Sequence, residues 1–449
     1  MIKQSGTRKK QLVMYNLGNS KTNNMARKRD TTLTTIDFSK NSAIPTILTT
    51  LAAVFARAQT RFRWNSAGGL DLLAANEMPI EWDVKSQRWG YLPHVSFSSR
   101  WSRSNEPDNA VWIKNGYTAT ATTMVSPYSA LNARFIAETA TTAAHEVTRS
   151  NTVNAASASS IHLVIKMQGR DFFAIRFKST NGVFSDETVV FGGLLGANAY
   201  VHSNTANLPV DIVYRGNGWY DLCVICVSKL AATGTIGFVA CSDSGIPSLD
   251  TPFLGDTTKG FWWFNITNDI IRWKSPVIVT TTSNITNIAD VLYIPSSALE
   301  KFDSAQAKSF VCEFRTNLFL LGSSAWYLLS HSNPASANNE RCSLVVDTAT
   351  SGKIQAAQIA NGVGDSTAAD LLPLAINKAA CSFRKNKVAS AINGGQIKST
   401  FLPTNPPNAD RIYIGCAADG TRQAATYLHT LKIYHSASLS MNELVRLTK

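Results

Sequence analysis

Short apolar runs alternating with turn residues set the pattern of the chain from about residue 160 onward. IHLVIKM (161–167), DFFAIRF (171–177), ETVVFGG (187–193), YDLCVICV (220–227), GTIGFVAC (234–241) and GFWWFNI (260–266) make a first group. SFVCEF (309–314), AWYLLSH (325–331), RCSLVVD (341–347), AACSFRK (379–385), VASAING (388–394), RIYIGC (411–416) and TLKIYH (430–435) make a second. Each run has the length and the β-branched or aromatic content of a strand. The gaps hold turn clusters such as NG at 181, GNG at 216 and SDSG at 242, and NGG at 393–395 supplies residues that tolerate positive φ where a hairpin turns. No long amphipathic helical pattern interrupts them. The pattern predicts an all-β chain with two tandem β-sandwich (jelly-roll) domains.

Alternation also assigns faces. Successive strand residues point to opposite sides, so Cys223 and Cys226 of GNGWYDLCVIC, three apart, cannot share a metal or close an ordinary disulfide. No second CxxC or nearby histidine would complete four ligands, so they read as small hydrophobes within a strand. Trp262 and Trp263 must likewise face opposite ways, one into the core and one onto a surface or a neighbouring subunit. Trp219 and Tyr220 divide in the same manner.

Composition then changes the picture in two ways. Over 449 residues, 44% are hydrophobic and only 16% charged, which gives ample material for two to four domains with polar, largely uncharged surfaces. The net charge of +13 is uneven, because residues 1–30 hold eight basic residues and one acid. That segment lacks apolar periodicity and reads as an extended basic arm, suited to docking in a larger assembly, to binding phosphates, or to solubilising the chain. Nucleic acid is the weaker of the functional options, since only Tyr15 is interleaved with the basic clusters and no recognised motif follows. Arg8, Lys9, Lys10, Arg27, Lys28 and Arg29 are the docking candidates. No apolar stretch of signal-peptide length follows the first basic residues, and no run reaches the ~18 apolar residues of a membrane span, so no membrane insertion is expected.

Candidate chemistry is sparse. Seven dispersed cysteines do not suggest a disulfide framework and fit folding in a reducing compartment. The seven histidines show no HxH or HExxH spacing, and P-loop and dinucleotide fingerprints are absent, so no metal and no cofactor are implied. Glu81 and Asp83 share a strand face as a glycosidase pair would, but Ser86 stands where a third carboxylate would complete E-x-D-x-x-E. No enzymatic activity is expected. Aromatic residues are the remaining candidates, because sugar C–H faces stack on Trp and Tyr rings. Trp112, Trp326, Tyr327 and Tyr427 lie near predicted strand ends, where sandwiches place binding loops, and are the glycan-binding candidates.

FARAQTRFRWNSAGGLDLLAANEMPIEWD (55–83) and NAVWIKNGYTATA (109–121), with NGWYD (217–221) and GDTTKGFWWF (255–264), resemble a group of tailed-bacteriophage fibre and spike proteins with a carbohydrate-binding-module-like jelly roll. The C-terminal part, FRKNKVASAINGGQIKS through IYIGC to YLHTLKIYHSASLSMNELVRLTK, resembles the concanavalin-like laminin-G domain that closes such proteins, with Ser440 as helix N-cap and Glu443 completing a capping box. Asp221 departs from the usual Arg of the group, which puts any binding role of that strand in doubt, and Lys259 departs from the small residue of the turn. The resemblance covers roughly residues 31–449. It implies an arm at 1–30, a β-rich connector at 31–104, a carbohydrate-binding-like jelly roll at 105–270 and a laminin-G-like jelly roll at 271–449. It further implies a homotrimeric virion protein, assembled in the bacterial cytoplasm. This would be a tail fibre or receptor-binding protein that contacts other virion proteins and host-surface polysaccharide or lipopolysaccharide. A head fibre or capsid decoration protein and a polysaccharide depolymerase are the alternatives.

Overall fold

The computed structural model describes residues 33–41, 43–94, 96–241, 252–271, 274–299, 302, 306–316, 325–334, 341–347, 353–360, 363–370, 372, 375–395, 398–401, 405–418, 426–435 and 437–449. Every apolar run singled out above falls on a strand, and the strands pair antiparallel into two sandwiches, giving the expected all-β class.

One sheet of the first sandwich runs in the order Val210–Gly216, Trp219–Val227, Ala158–Gln168, Gly260–Asp269, Asn132–Glu138 and Tyr117–Val125. The other runs Tyr200–Asn204, Glu187–Gly192, Phe172–Lys178, Ala232–Cys241, Glu146–Val153 and Ile113–Asn115. Alternate residues of both meet in the core, among them Ile161, Leu163, Phe173, Ile175, Leu222 and Trp263. Strand parity holds as expected: Cys226, Tyr220 and Trp263 point into this core. Trp219 and Trp262 instead join a second apolar cluster on the opposite face.

That opposite face is covered. A hairpin of Arg61–Trp64 and Leu70–Leu73 lies on it, burying Phe62, Trp64 and Leu70 against Phe135, Val164, Trp219, Trp262 and Phe264. The approach is so close that a Cβ on Gly68, at the hairpin turn, would sit 1.6 Å from the Arg215 carbonyl oxygen. Gly68 also adopts φ +79°, which glycine takes without steric cost.

The second sandwich has an eight-stranded sheet along Lys398–Phe401, Lys387–Ile392, Ile376–Arg384, Lys308–Thr316, Thr426–Tyr434, Arg88–Tyr91 and Ile80–Asp83, with Leu33–Asp37 also pairing Thr426–Tyr434. Facing it is a seven-stranded sheet of Val54–Ala56, Val291–Pro295, Arg411–Ile414, Ala325–Ser332, Arg341–Asp347, Lys353–Ala360 and Val363–Asp370. Strands from the segment read as a connector are thus integral to this sandwich: Leu33–Asp37, Val54–Ala56, Ile80–Asp83 and Arg88–Tyr91 all lie in its two sheets. The first sandwich is an insertion between the early and late strands of the second.

The C-terminal helix, Met441–Thr448, begins with the capping box read from the sequence. The Ser440 hydroxyl accepts the Glu443 N–H at 3.3 Å and the Glu443 carboxylate accepts the Ser440 N–H at 2.7 Å. Leu444 packs with Leu439, Val311 and Tyr434 over Ala380, Ala389 and Ala391, whose small side chains let the helix sit close to the sheet. Ser440→Ala should lower stability by about 1 kcal/mol while Ser440→Asn leaves it near wild type, as checked by thermal or urea unfolding.

Candidate functional site

The four aromatics expected to bind glycan are all interior, none more than 6% exposed. Trp112 packs edge-on against Trp101 and Trp263, with ring centroids 5.3 and 4.5 Å away, and the Arg149 guanidinium lies 4.5 Å over its ring. Its indole N–H donates to the Arg103 carbonyl at 3.0 Å. Trp326 belongs to the core of the second sandwich. Tyr327 packs with Val345 and Ala417 beneath Arg341, and Tyr427 lies beneath Arg315. Proximity to strand ends misled here because the cores between the sheets extend to those ends and take in Trp112 and Trp326. The docking candidates Arg8, Lys9, Lys10, Arg27, Lys28 and Arg29 lie outside the described residues.

What the structure does bring together is a buried band of charge where the sandwiches meet. Asp221 projects from the covered face of the first sandwich and accepts from Arg215 at 2.6 Å, His162 at 2.6 Å and Lys274 at 2.7 Å. Lys274 also reaches Asp211 at 3.1 Å, and Asp211 pairs with Lys85 as well. From the second sandwich, Asp83 is gripped by both Nε and Nη2 of Arg315 and accepts the Ser86 hydroxyl at 2.6 Å. Arg61 meets Asp290 at 2.9 Å. Arg215 additionally lies 4.2 Å over the Trp64 ring.

The electrostatics follow from burial against pairing. Burial pushes the Asp221 carboxyl up, but Lys274, Arg215 and His162 outweigh it and hold it well below the ordinary carboxylate range. Asp211 is lowered in the same way by Lys274 and Lys85. Burial raises Glu81, with Arg215 and Arg61 opposing. Burial, reinforced by Arg61 and Arg57, drives the His94 pKa well below the usual imidazole value. Glu81 and Asp83 do share a face, but they are shut inside this band, and Asp83 already spends both oxygens on Arg315. Asp221, the departure from the fibre-group pattern, is the residue on which Arg215, Lys274 and His162 converge.

The surface offers a different feature, missed by the sequence reading. Tyr200, 48% exposed, is the one exposed aromatic among the described residues. It stands on the edge strand Tyr200–Asn204, opposite Gly192, where a Cβ would come within 2.8 Å of its ring. The missing side chain lets the ring lie on the sheet beside Phe172. The exposed His202 ring completes the cluster, 6.1 Å from Tyr200 and 5.3 Å from Phe172. The preceding loop is fastened: Asp171 accepts the Gly193 N–H at 3.2 Å and the Leu195 N–H at 2.9 Å. Tyr220 donates to the carbonyls of Gly193 and Gly196. The signal available in the sequence was the Gly-Gly pair at 192–193 ahead of an aromatic, which permits a ring to pack flat on a strand.

All seven cysteines are buried and none forms a disulfide, and burial pushes the Cys223 thiol up to about 12, which holds it in the unreactive protonated form at neutral pH. Among the described residues no group of three or more His, Cys, Asp or Glu side chains is gathered as a metal ion requires, and no helix is long and apolar enough to cross a membrane.

No family model and no curated protein matches the chain. Among solved structures it is similar to the Ruminococcus gnavus IT-sialidase CBM40 bound to α2,3 sialyllactose, at 16% identity and TM-score 0.28, over 32% of this chain and 83% of that one. It is similar to domains LG4-5 of the mouse laminin α1 chain at 10% identity and TM-score 0.25, over 67% and 90%. It is also similar to Trypanosoma rangeli sialidase in complex with sialic acid, at 9% identity and TM-score 0.27, over 74% and 62%. TM-scores this low leave function to be argued from the chain's own residues.

Removing the Asp221 charge leaves buried Arg215 without its carboxylate and Lys274 with Asp211 alone, so Asp221→Asn should destabilise the protein by about 3–5 kcal/mol in denaturant melts. Because its folded pKa lies below its unfolded value, this contribution is complete above pH about 4 and is lost as pH falls toward the folded pKa. The stability gap between wild type and Asp221→Asn should therefore be constant at neutral pH and narrow below pH about 4.

Proposed function

We propose that the chain is a non-enzymatic glycan-binding protein of a tailed-bacteriophage particle, a tail fibre or receptor-binding protein. The observation that carries the glycan reading is the Tyr200 shelf: an exposed ring on a rigid sheet edge, backed by Phe172 and flanked by the His202 imidazole. A ring so placed can stack on the C–H face of a sugar while ordering few side chains on binding. The virion reading rests on the sequence resemblance across residues 55–121, 217–264 and 383–449. In a homotrimer three such shelves would act together, so that weak single sites combine through high effective concentration. The non-enzymatic reading draws support from Asp83, whose carboxylate is committed to Arg315, and from the burial of Glu81 beside it.

The test is retention of the full-length protein on envelope polysaccharides from a panel of bacterial strains, with the polysaccharide chain length measured before and after. Retention with unchanged length is expected, and Tyr200→Ala should weaken it about fivefold, the loss of roughly 1 kcal/mol of stacking. Shortened chains would refute the non-enzymatic assignment, and no retention on any strain would turn the reading to capsid decoration. Deletion of residues 1–30 should leave folded sandwiches that no longer enter particles. Normal incorporation, scored by immunoblot of purified virions, would remove the docking role of the arm.

A further inference from the structure

The outer face of the eight-stranded sheet is only partly covered by the C-terminal helix. Where the helix begins, the face continues toward the tip of the hairpin formed by Ile376–Arg384 and Lys387–Ile392, and two cavities open there. One, of about 640 Å³, is lined by Gln306, Arg384, Lys385, Asn386, Lys387 and Asn405, among others. The second, of about 280 Å³, lies between the hairpin and Ser438–Met441. Arg384 and Lys387 line both and make them one groove.

The charge of this groove is unbalanced. Arg384 and Lys387 are cross-strand partners, and like charges directly opposite each other destabilise a hairpin. Lys385 adds a third cation at the turn, which Asn386 closes with φ 62°. Among the described residues no carboxylate lines either cavity, and none of the three cations has an ion-pair partner. Glu443, in the first turn of the helix that begins at the groove, is spent on the helix cap. In the band around Asp221, by contrast, clustered cations are matched by aspartates. Here the repulsion is left standing, in a concave site rimmed by amides and hydroxyls.

We propose that this groove binds an acidic polysaccharide, one carrying a carboxylate or phosphate on each repeat. Arg384 would take the anionic group through its forked N–H pair, with Lys387 and Lys385 as point charges beside it. Asn386, Asn405, Gln306, Ser382 and Ser438 offer hydrogen-bonding groups of the kind a hydroxyl-rich chain uses. A nucleic acid is less well matched, because the described lining residues include no aromatic on which a base could stack, and three cations fall short of the phosphate stripe that such binding draws on. The site is on the opposite sandwich from Tyr200 and does not depend on it.

The test uses the full-length protein with polygalacturonate, inorganic polyphosphate, neutral dextran and single-stranded DNA as probes, read by affinity retention and by lysine acetylation footprinting. Polygalacturonate or polyphosphate should protect Lys385 and Lys387 while Lys229 on the first sandwich stays reactive, and whichever protects identifies the anion. Arg384→Ser/Lys387→Ser, both at a hairpin tip outside the core, should weaken that retention at least tenfold, whereas Lys229→Ser, on the first sandwich, leaves it unchanged. Protection confined to lysines of the first 30 residues, or retention unaltered in the double variant, would overturn the proposal. Stronger protection by DNA than by either acidic polymer would overturn it in favour of a nucleic-acid site.

Discussion

The architecture depends on keeping nine charged side chains largely out of water where two β-sandwiches meet. Each buried ion costs several kcal/mol to desolvate, and a pair recovers that only with good geometry and further hydrogen bonds. Asp221 achieves this with three donors, and Asp83 with a two-pronged guanidinium and a serine hydroxyl. The partners come from distant parts of the chain: Lys85 and Arg61 precede the first sandwich, Asp211, Arg215 and Asp221 belong to it, and Lys274, Asp290 and Arg315 follow it. A rearrangement of one sandwich against the other would strand several of these groups together. The band therefore specifies a relative orientation, whereas the apolar contacts around Trp64 and Trp262 supply area without direction.

This division of labour explains where binding can occur. Aromatic residues are mostly consumed inside, stacked among themselves or beneath arginines, and the carboxylates that could have formed a catalytic pair are consumed in the band. Among the described residues, what stands outside is a single exposed tyrosine ring at one sheet edge and an unbalanced cationic groove at one hairpin tip. Each stands on regular antiparallel structure, so each is held in place by the same ladders that hold the fold.

Much of the fold was legible because alternation reports faces directly. The split of Cys223 from Cys226, of Trp262 from Trp263 and of Trp219 from Tyr220 followed from parity, and the Ser440–Glu443 capping box followed from spacing alone. Parity says which residues share a face, but not what covers it. In this protein the face away from the sandwich core is also buried, by the hairpin at 61–73, so an aromatic assigned to the outside was still inside. The strands at 33–37, 80–83 and 88–91 were hidden for a related reason. They are only four or five residues long, and Leu33–Asp37 and the 80–91 hairpin join the sheet through Thr426–Tyr434, hundreds of residues away, so no local pattern places them there. Tyr200 escaped notice because its strand, Tyr200–Asn204, is exposed on both faces and shows no alternation at all.

The pairing of Leu33–Asp37 with Thr426–Tyr434 sets an order of events during synthesis. Thr34 and His435, which bond across this pair, are 401 residues apart. At ribosomal rates of about 5–20 residues per second, the early strands wait roughly 20–80 s for their partner to emerge. The inserted sandwich, whose strands are contiguous in sequence, is complete long before then and exposes the face bearing Asp221, Trp219 and Trp262. The 61–73 hairpin, already made, is available to cover the apolar part of that face at once. The nascent protein thus has a lid for its most aggregation-prone surface before the second sandwich exists, and the last strand to leave the ribosome closes the first.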